Sequence, residues 1–318
     1  MSILDLNNLC VSYSDVNILN NINLSVNEGE IIGIVGESGS GKSTLIKSII
    51  GLLGNNASIQ SGTIAFEGKD ITSLSLKEYR DIRGNGISMI FQNPLEFFNP
   101  IRKIGKQIIE TIRSHRDISK EEIKIKALDT FKFLGLLDGE RVWNSYPFEL
   151  SGGMNQRVAI ALSMMLEPRL ILADEPTSSL DVTVQAQVVR ELMKMREKLN
   201  TSIILVSHNI GVVSYMADKI GVIYGGQMME YGDKFDIINN PKHPYTKSLI
   251  KSVPVINGGI PKGIGGNPFK FTDKKDGCSF ADRCEYASSI CRTANQEPKY
   301  YNDSHWSLCE VLMEDIAL

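Results

Sequence analysis

Short apolar runs punctuate the first two thirds of the chain at wide intervals. Ile31–Val35, Ile87–Phe91, Leu170–Ala173 and Ile203–Val206 are four or five residues long, each ending against polar or turn residues. Runs of that length suit strands buried on both faces. Ser43–Leu53, Gln156–Leu166 and Thr183–Leu199 have the length and spacing of helices packed on one side. Strands alternating with helices predict an α/β fold, a mainly parallel sheet with flanking helices. The stretch Pro94–Leu150 differs. It holds helical patterns at Ile104–Ile112 and Lys120–Phe133 and few strand signals, so it reads as a helical insertion. From Pro241 the texture changes again: Pro241, Pro244, Pro254, Pro261, Pro268 and several glycines predict a loop-rich tail.

Composition narrows this picture. With 42% hydrophobic and 22% charged residues, the chain can bury an ordinary globular core. A net charge of −3 and a pI of about 5.9 lack the basic excess of a nucleic-acid-binding surface, so no nucleic-acid partner is expected. The longest apolar runs, such as Ile203–Val206 and Ile49–Leu53, fall far short of the roughly 18 residues of a spanning helix. The N-terminal Met1–Cys10 carries Asp5 and no basic stretch before an apolar run, which is not a signal peptide; a cytosolic chain is expected. Of five cysteines, Cys10 stands alone and reads as a small strand hydrophobe, while Cys278, Cys284, Cys291 and Cys309 crowd the C-terminal end. In a reducing compartment such a group points to metal or cluster ligation before disulfides.

Two motifs carry phosphate chemistry. Gly36-Glu37-Ser38-Gly39-Ser40-Gly41-Lys42-Ser43-Thr44 matches G-x-x-x-x-G-K-[ST], with a strand before it and a helix after it. Its glycines let the backbone turn its N–H groups onto phosphate oxygens, and the helix from Ser43 adds the positive end of its dipole. Lys42 supplies a point charge to the β- and γ-phosphates, and the Ser43 hydroxyl is placed for Mg²⁺. Leu170-Ile171-Leu172-Ala173-Asp174-Glu175 supplies the acidic partner: Asp174 for Mg²⁺, directly or through water, and Glu175 to polarise the attacking water.

The discriminating segment is Leu150-Ser151-Gly152-Gly153-Met154-Asn155-Gln156-Arg157. It resembles the signature of the ABC ATPases, normally LSGGQ. Gln92 resembles that family's Q-loop glutamine, a Mg²⁺ ligand and nucleotide sensor. Ser179-Leu180-Asp181 resembles the D-loop, and His208 the switch histidine that contacts the γ-phosphate. Tyr13 lies where the family keeps an aromatic for stacking on adenine, although a tyrosine there also packs. The resemblance runs from about residue 3 to 235 and implies a P-loop ABC ATPase domain over 1–240, with an N-terminal antiparallel β part and a helical subdomain of about 94–165. It also implies ATP hydrolysis with Mg²⁺ by a head-to-tail dimer. In that dimer the P-loop of one subunit and Ser151, Gly152, Gly153, Met154 and Asp181 of the other enclose each ATP. Uncluttered amides at a helix N-terminus are in themselves an anion site.

The tail, residues 241–318, refines the family. Pro241-Lys242-His243-Pro244-Tyr245, Val253-Pro254 and Gly277-Cys278-Ser279-Phe280-Ala281-Asp282-Arg283-Cys284 look like the C-terminal extension of the oligopeptide/dipeptide/nickel importer subfamily. That implies import of peptides, nickel or metal–chelate at the cytoplasmic face of the membrane. The implied partners are two transmembrane permease subunits, a second ATP-binding subunit, identical or homologous, and an extracellular substrate-binding protein. Leu95, Phe97 and Phe98, after Gln92, border the groove for a membrane-subunit helix or else form a buried loop. The cysteine spacing C-x5-C-x6-C-x17-C lacks the C-x2-C pairs of structural zinc, and four thiolates suit a [4Fe–4S] cluster that some subfamily members carry; zinc and plain packed thiols remain alternatives. Two departures stand out: Asn155, where the subfamily usually has arginine, and the apolar loop Leu95–Phe98. The competing readings are a non-transport ABC-class ATPase of DNA repair or translation, and a binding-only cassette, against which Glu175, His208 and the signature argue.

Overall fold

The computed structural model describes residues 1–178, 180–253, 263–273 and 276–311. The chain runs through β1 (Ser2–Tyr13), β2 (Val16–Asn27), β3 (Ile31–Val35), α1 (Lys42–Ile49), β4 (Ala57–Phe66), β5 (Lys69–Asp70), α2 (Leu76–Ile82) and β6 (Ile87–Ile90). Next come α3 (Pro94–Phe97), α4 (Ile104–Arg113), α5 (Lys120–Phe133), α6 (Gly139–Asn144), α7 (Gly152–Met165), β7 (Leu170–Asp174), α8 (Val182–Leu199) and β8 (Ser202–Ser207). Then follow α9 (Ile210–Met216), β9 (Lys219–Tyr224), β10 (Gln227–Asp233), α10 (Lys234–Asn239), α11 (Pro244–Lys251), α12 (Ile290–Thr293), β11 (Lys299–Tyr300) and β12 (Trp306–Ser307).

These elements form two units. The first comprises Met1, Asn27–Glu30 and Leu74–Ile204; the second comprises Ser2–Val26, Ile31–Ser73 and the chain from Leu205 onward. In the first unit β6 and β7 run parallel, Ile87 opposite Leu170 and Ile90 opposite Ala173. Every residue of β7 is buried, as a strand covered on both faces requires. The helix α7 is buried nearly all round, from Val158 to Met165, and packs on β6, α3 and α5. Its surroundings from residue 94 to 150 are helical, and the described residues there contain no strand. Sequence pattern and structure agree closely for α5, whose Ser119 and Glu122 form a reciprocal capping box.

In the second unit β3 pairs parallel with β9, and β10 continues antiparallel to β9. Gly33 lets α9 approach β3: a Cβ there meets Val213 Cγ1 at 2.1 Å. A separate sheet has the order β2-β1-β4-β5, with β1 and β4 antiparallel and a bulge where Cys10 pairs. Cys10 is half-buried, and its Sγ accepts from the Asn21 N–H at 3.2 Å.

Two helices differ from the sequence reading. The first helix stops at Ile49 rather than Leu53. Gly51 takes φ +66°, and the Leu52 and Gly51 N–H groups turn back to Lys47 O (2.8 Å) and Ser48 O (3.2 Å), a Schellman close. The helix expected from Gln156 begins at Gly152, because the Ser151 hydroxyl caps it.

The described tail is loop-rich, as expected, with two short helices, α11 and α12, and one small hairpin. The β11–β12 hairpin adds to the edge of β10, with Glu230 opposite Ser307. The fully buried Glu230 carboxylate accepts from the N–H groups of Lys242 (2.7 Å) and His243 (2.9 Å) and faces His305 Nε2 at 2.8 Å. Pro254 and Pro261 lie outside the described residues. His243 Nδ1 accepts from the Tyr245 N–H at 3.0 Å and so caps α11. Burial pushes this imidazole down from 6.5 to about 4, against the pull of the Glu230 carboxylate. The unfolded chain therefore takes up a proton near pH 6.5 that the folded chain refuses until about pH 4. Stability falls as the pH drops through that window, by up to about 3 kcal/mol from this group alone. Urea unfolding between pH 7 and 4 is expected to show that slope, and His243→Gln to flatten it.

Candidate functional site

The phosphate loop lies in the second unit, between the buried strand β3 and α1. Gly36 passes so close to β9 that a Cβ there meets Ile223 O at 2.1 Å. Gly41 is the N-cap of α1 with φ +103°, a conformation reserved in practice for glycine. The Gly226 N–H donates to Ser40 O at 3.0 Å, tying the loop's far side to the turn between β9 and β10. The Lys42 side chain is turned back into the loop. Its Nζ donates to Gly36 O (2.8 Å) and Glu37 O (2.7 Å) and lies 3.4 Å from Ser40 Oγ, and the residue is only 5% exposed. The loop is thus shaped around its own lysine. Ser38 and Gly39 are exposed at the tip; Ser43 and Thr44 are half-buried in the first helical turn.

The acidic partner, the Q-loop glutamine, the signature and the D-loop belong to the first unit. Asp174 closes β7 and is 5% exposed. Glu175 leaves the strand with φ +44°, a left-handed conformation that costs a non-glycine residue energy and swings its side chain off the strand line. The Ser178 N–H and hydroxyl both hold the Glu175 carbonyl at 3.2 Å. Gln92, exposed after β6, donates from Nε2 to Glu175 Oε2 at 3.1 Å. The structure therefore brings together two side chains that lie 83 positions apart.

The Ser151 hydroxyl accepts from the Met154 N–H at 3.3 Å, leaving Gly152 and Gly153 as the first turn of α7. Gly152 is exposed, with nothing within 4 Å of a Cβ; at Gly153 a Cβ lies 2.9 Å from Val184 Cγ1. That contact sets the start of α8 against the signature turn. Exposed Asp181 caps α8, accepting from Thr183 and Val184 N–H at 3.0 Å. Ser179 lies outside the described residues. The resemblance to the signature assigns Asn155 no role. It is buried under the turn, and its Nδ2 donates to Pro147 O (2.8 Å) and Leu150 O (3.2 Å), so it fixes the signature from beneath.

Tyr13 ends β1, half-buried, opposite Ala57. His208 is exposed and directly follows β8. Of the apolar loop after Gln92, Leu95 and Phe97 are 50% and 45% exposed, but Phe98 is 3% exposed. Phe98 meets the Phe97 ring edge-on at 5.3 Å and is a packing residue, not a surface one.

Cys278, Cys284, Cys291 and Cys309 line one narrow cavity together with His243. Burial pushes Cys278 up to about 12 and Cys309 up to about 11, and raises Cys284, so these thiols carry their protons at neutral pH. Among the described residues no group of three His, Cys, Asp or Glu side chains is placed to hold a metal ion.

The family model for ABC transporters matches residues 19–178, and that for the oligopeptide/dipeptide transporter C-terminal region matches residues 229–291. A probable D,D-dipeptide transport ATP-binding protein of Escherichia coli K12 is 42% identical, over 91% of this chain and 90% of its own length. An oligopeptide transport ATP-binding protein of Bacillus subtilis is 40% identical, over 92% and 91%. Among solved structures, a dimeric ATP-binding cassette in a post-hydrolysis state bound to ADP and Pi aligns with a TM-score of 0.66 at 30% identity, covering 73% of this chain and 98% of its own. A component of an ABC transporter complex of Clostridium perfringens aligns with the same TM-score at 28% identity, covering 75% of this chain and 91% of its own.

Proposed function

Since this chain belongs to the ABC transporter family and is one of its ATP-hydrolysing subunits, we propose that it powers the import of di- or oligopeptides. One observation carries the reading: the cassette match over 19–178 is followed in the same chain by the oligopeptide/dipeptide transporter match over 229–291. Among the described residues no helix is long and apolar enough to cross a membrane, and this reading gives translocation to partners. Those partners are two permease subunits, a second ATP-binding subunit, identical or homologous, and an extracellular binding protein. The chain works at the cytoplasmic membrane face, with residues 1–240 as the motor domain and 241–318 as its extension.

Within this reading, the Gly36–Thr44 loop and Lys42 take the phosphates of ATP. Ser43, Asp174 and Gln92 are assigned to Mg²⁺, which neutralises phosphate charge when bound. Glu175 polarises the attacking water, and His208 contacts the γ-phosphate. Tyr13 stacks on adenine. The partner subunit's Ser151–Met154 turn and Asp181 close the sandwich, and loss of the γ-phosphate releases it. Exposed Leu95 and Phe97 meet a helix of the permease, a role that buried Phe98 cannot share.

The test is genetic and chemical. Removing the chain from its host is expected to stop uptake of a labelled di- or oligopeptide, with wild type restoring it and Glu175→Gln failing to. Loss of nickel uptake with peptide uptake intact assigns the cargo to nickel or a metal–chelate. No transport change at all, with ATPase activity intact, places the chain among the non-transport ABC-class ATPases. The four cysteines add a finer element, a [4Fe–4S] cluster, favoured by their convergence on one cavity. Loading it displaces four thiol protons. Protein purified without oxygen is then expected to be brown with about four irons per chain; colourless, iron-free protein removes the cluster.

A further inference from the structure

The phosphate loop is gripped from outside by the tail. Glu37, the second residue of the loop, is held at both its polar ends by residues from the far end of the sequence. Its backbone N–H donates to the Tyr245 hydroxyl at 2.9 Å. Its carboxylate receives both prongs of Arg283, Nη1 to Oε2 at 2.6 Å and Nη2 to Oε1 at 3.0 Å, across 246 positions of chain.

The guanidinium is fully committed. Nη1 also donates to the Tyr224 hydroxyl (3.1 Å), Nη2 to Ile264 O (3.0 Å) and Nε to Gly265 O (2.7 Å), so its five N–H groups have five acceptors. The Arg283 side chain is 5% exposed and that of Glu37 is 27% exposed. A planar fork paired this way fixes direction as well as distance, which a lysine does not. The same Glu37 gives its carbonyl to Lys42 Nζ at 2.7 Å, so the carboxylate, amide and carbonyl of one residue connect the tail to the phosphate-binding lysine.

We propose that Arg283 is a positioning residue for nucleotide binding: through Glu37 it sets the phosphate loop and Lys42, and so makes ATP affinity depend on the C-terminal extension. This rests on the reading of Gly36–Thr44 as the ATP loop. Arg283 lies between Cys278 and Cys284 in the chain, so whatever state the cysteine cavity adopts is one residue away from this grip. A merely structural pair would lower thermal stability and leave the kinetics of the folded protein alone. A positioning pair moves KM for ATP.

The experiment uses the full chain and measures KM and kcat for Mg-ATP hydrolysis in Arg283→Ala, Glu37→Gln, the double variant and Arg283→Lys, well below their melting temperatures. Arg283→Ala and Glu37→Gln are each expected to raise KM about tenfold with kcat changed less than about twofold. The double variant is expected to be no worse than either single one, because both break the same link, and Arg283→Lys to recover only part. A KM within twofold of wild type in folded Arg283→Ala, or fully additive losses in the double variant, overturns the proposal. If Arg283→Ala does not fold, Glu37→Gln, which keeps the shape and removes the charge, decides by the same criteria. Wild-type protein without ATP turnover instead defeats the reading of the loop itself, so the two failures are separable.

Discussion

Glu175→Gln is expected to leave ATP bound but unhydrolysed. The substitution keeps the shape of the side chain, and an amide oxygen still accepts from Gln92 Nε2, now at 3.1 Å from Glu175 Oε2. It keeps the left-handed backbone turn at φ +44° and the two Ser178 bonds to the carbonyl, since these involve the main chain. What it removes is the carboxylate that we propose accepts a proton from the attacking water. General-base removal costs about 10²–10⁴-fold in kcat. Lys42 and the rest of the phosphate loop are untouched, so ATP affinity is expected to stay within about threefold of wild type. With ATP intact, the ATP-bound dimer accumulates, visible as a larger species in size-exclusion chromatography with Mg-ATP. Phosphate release at the wild-type rate sinks the assignment of Glu175 as general base. Normal turnover loss without a dimer sinks the sandwich instead.

The parts legible in the sequence were those fixed by local rules. The buried strands β3, β7 and β8 are continuous apolar runs because both faces are covered. The end of α1 is not legible in the sequence, because its terminator, Gly51, sits inside a run that still looks helical; the left-handed turn there is decided by three residues, not by periodicity. The β11–β12 hairpin left no pattern, because its strands are two residues each and its anchor is the long-range Glu230–His305 pair. Phe98 and Phe97 are adjacent in sequence and indistinguishable there, yet one is core and the other surface. The grip of Arg283 on Glu37 lies beyond any sequence window, although each residue stands inside a motif of its own. The motifs are legible residue by residue. The support beneath it, from Asn155, Tyr245 and Arg283, needed the fold.

Lys42→Ala is expected to have the larger effect on binding. The Nζ group spends its donors on Gly36 O at 2.8 Å and Glu37 O at 2.7 Å, in a loop where it is only 5% exposed. Cutting the side chain to a methyl leaves two loop carbonyls without that donor and removes the charge that we propose opposes the phosphates. Each deserted carbonyl costs about 1–3 kcal/mol, so the loop is expected to abandon its shape before ATP meets it. A loss of about 3 kcal/mol in binding corresponds to at least a hundredfold rise in Kd. Hydrolysis then disappears for want of bound substrate, the opposite signature to Glu175→Gln, where substrate is bound and chemistry fails. Fluorescent ATP titrated onto both variants separates them, with circular dichroism confirming that each is folded. Arginine is no substitute at this position: its fork cannot occupy a pocket shaped to one ammonium, so Lys42→Arg is expected to resemble Lys42→Ala. If Lys42→Ala binds ATP within about threefold of wild type, the phosphates lie elsewhere. The nine residues Gly36–Thr44 would then be a turn and not a cradle.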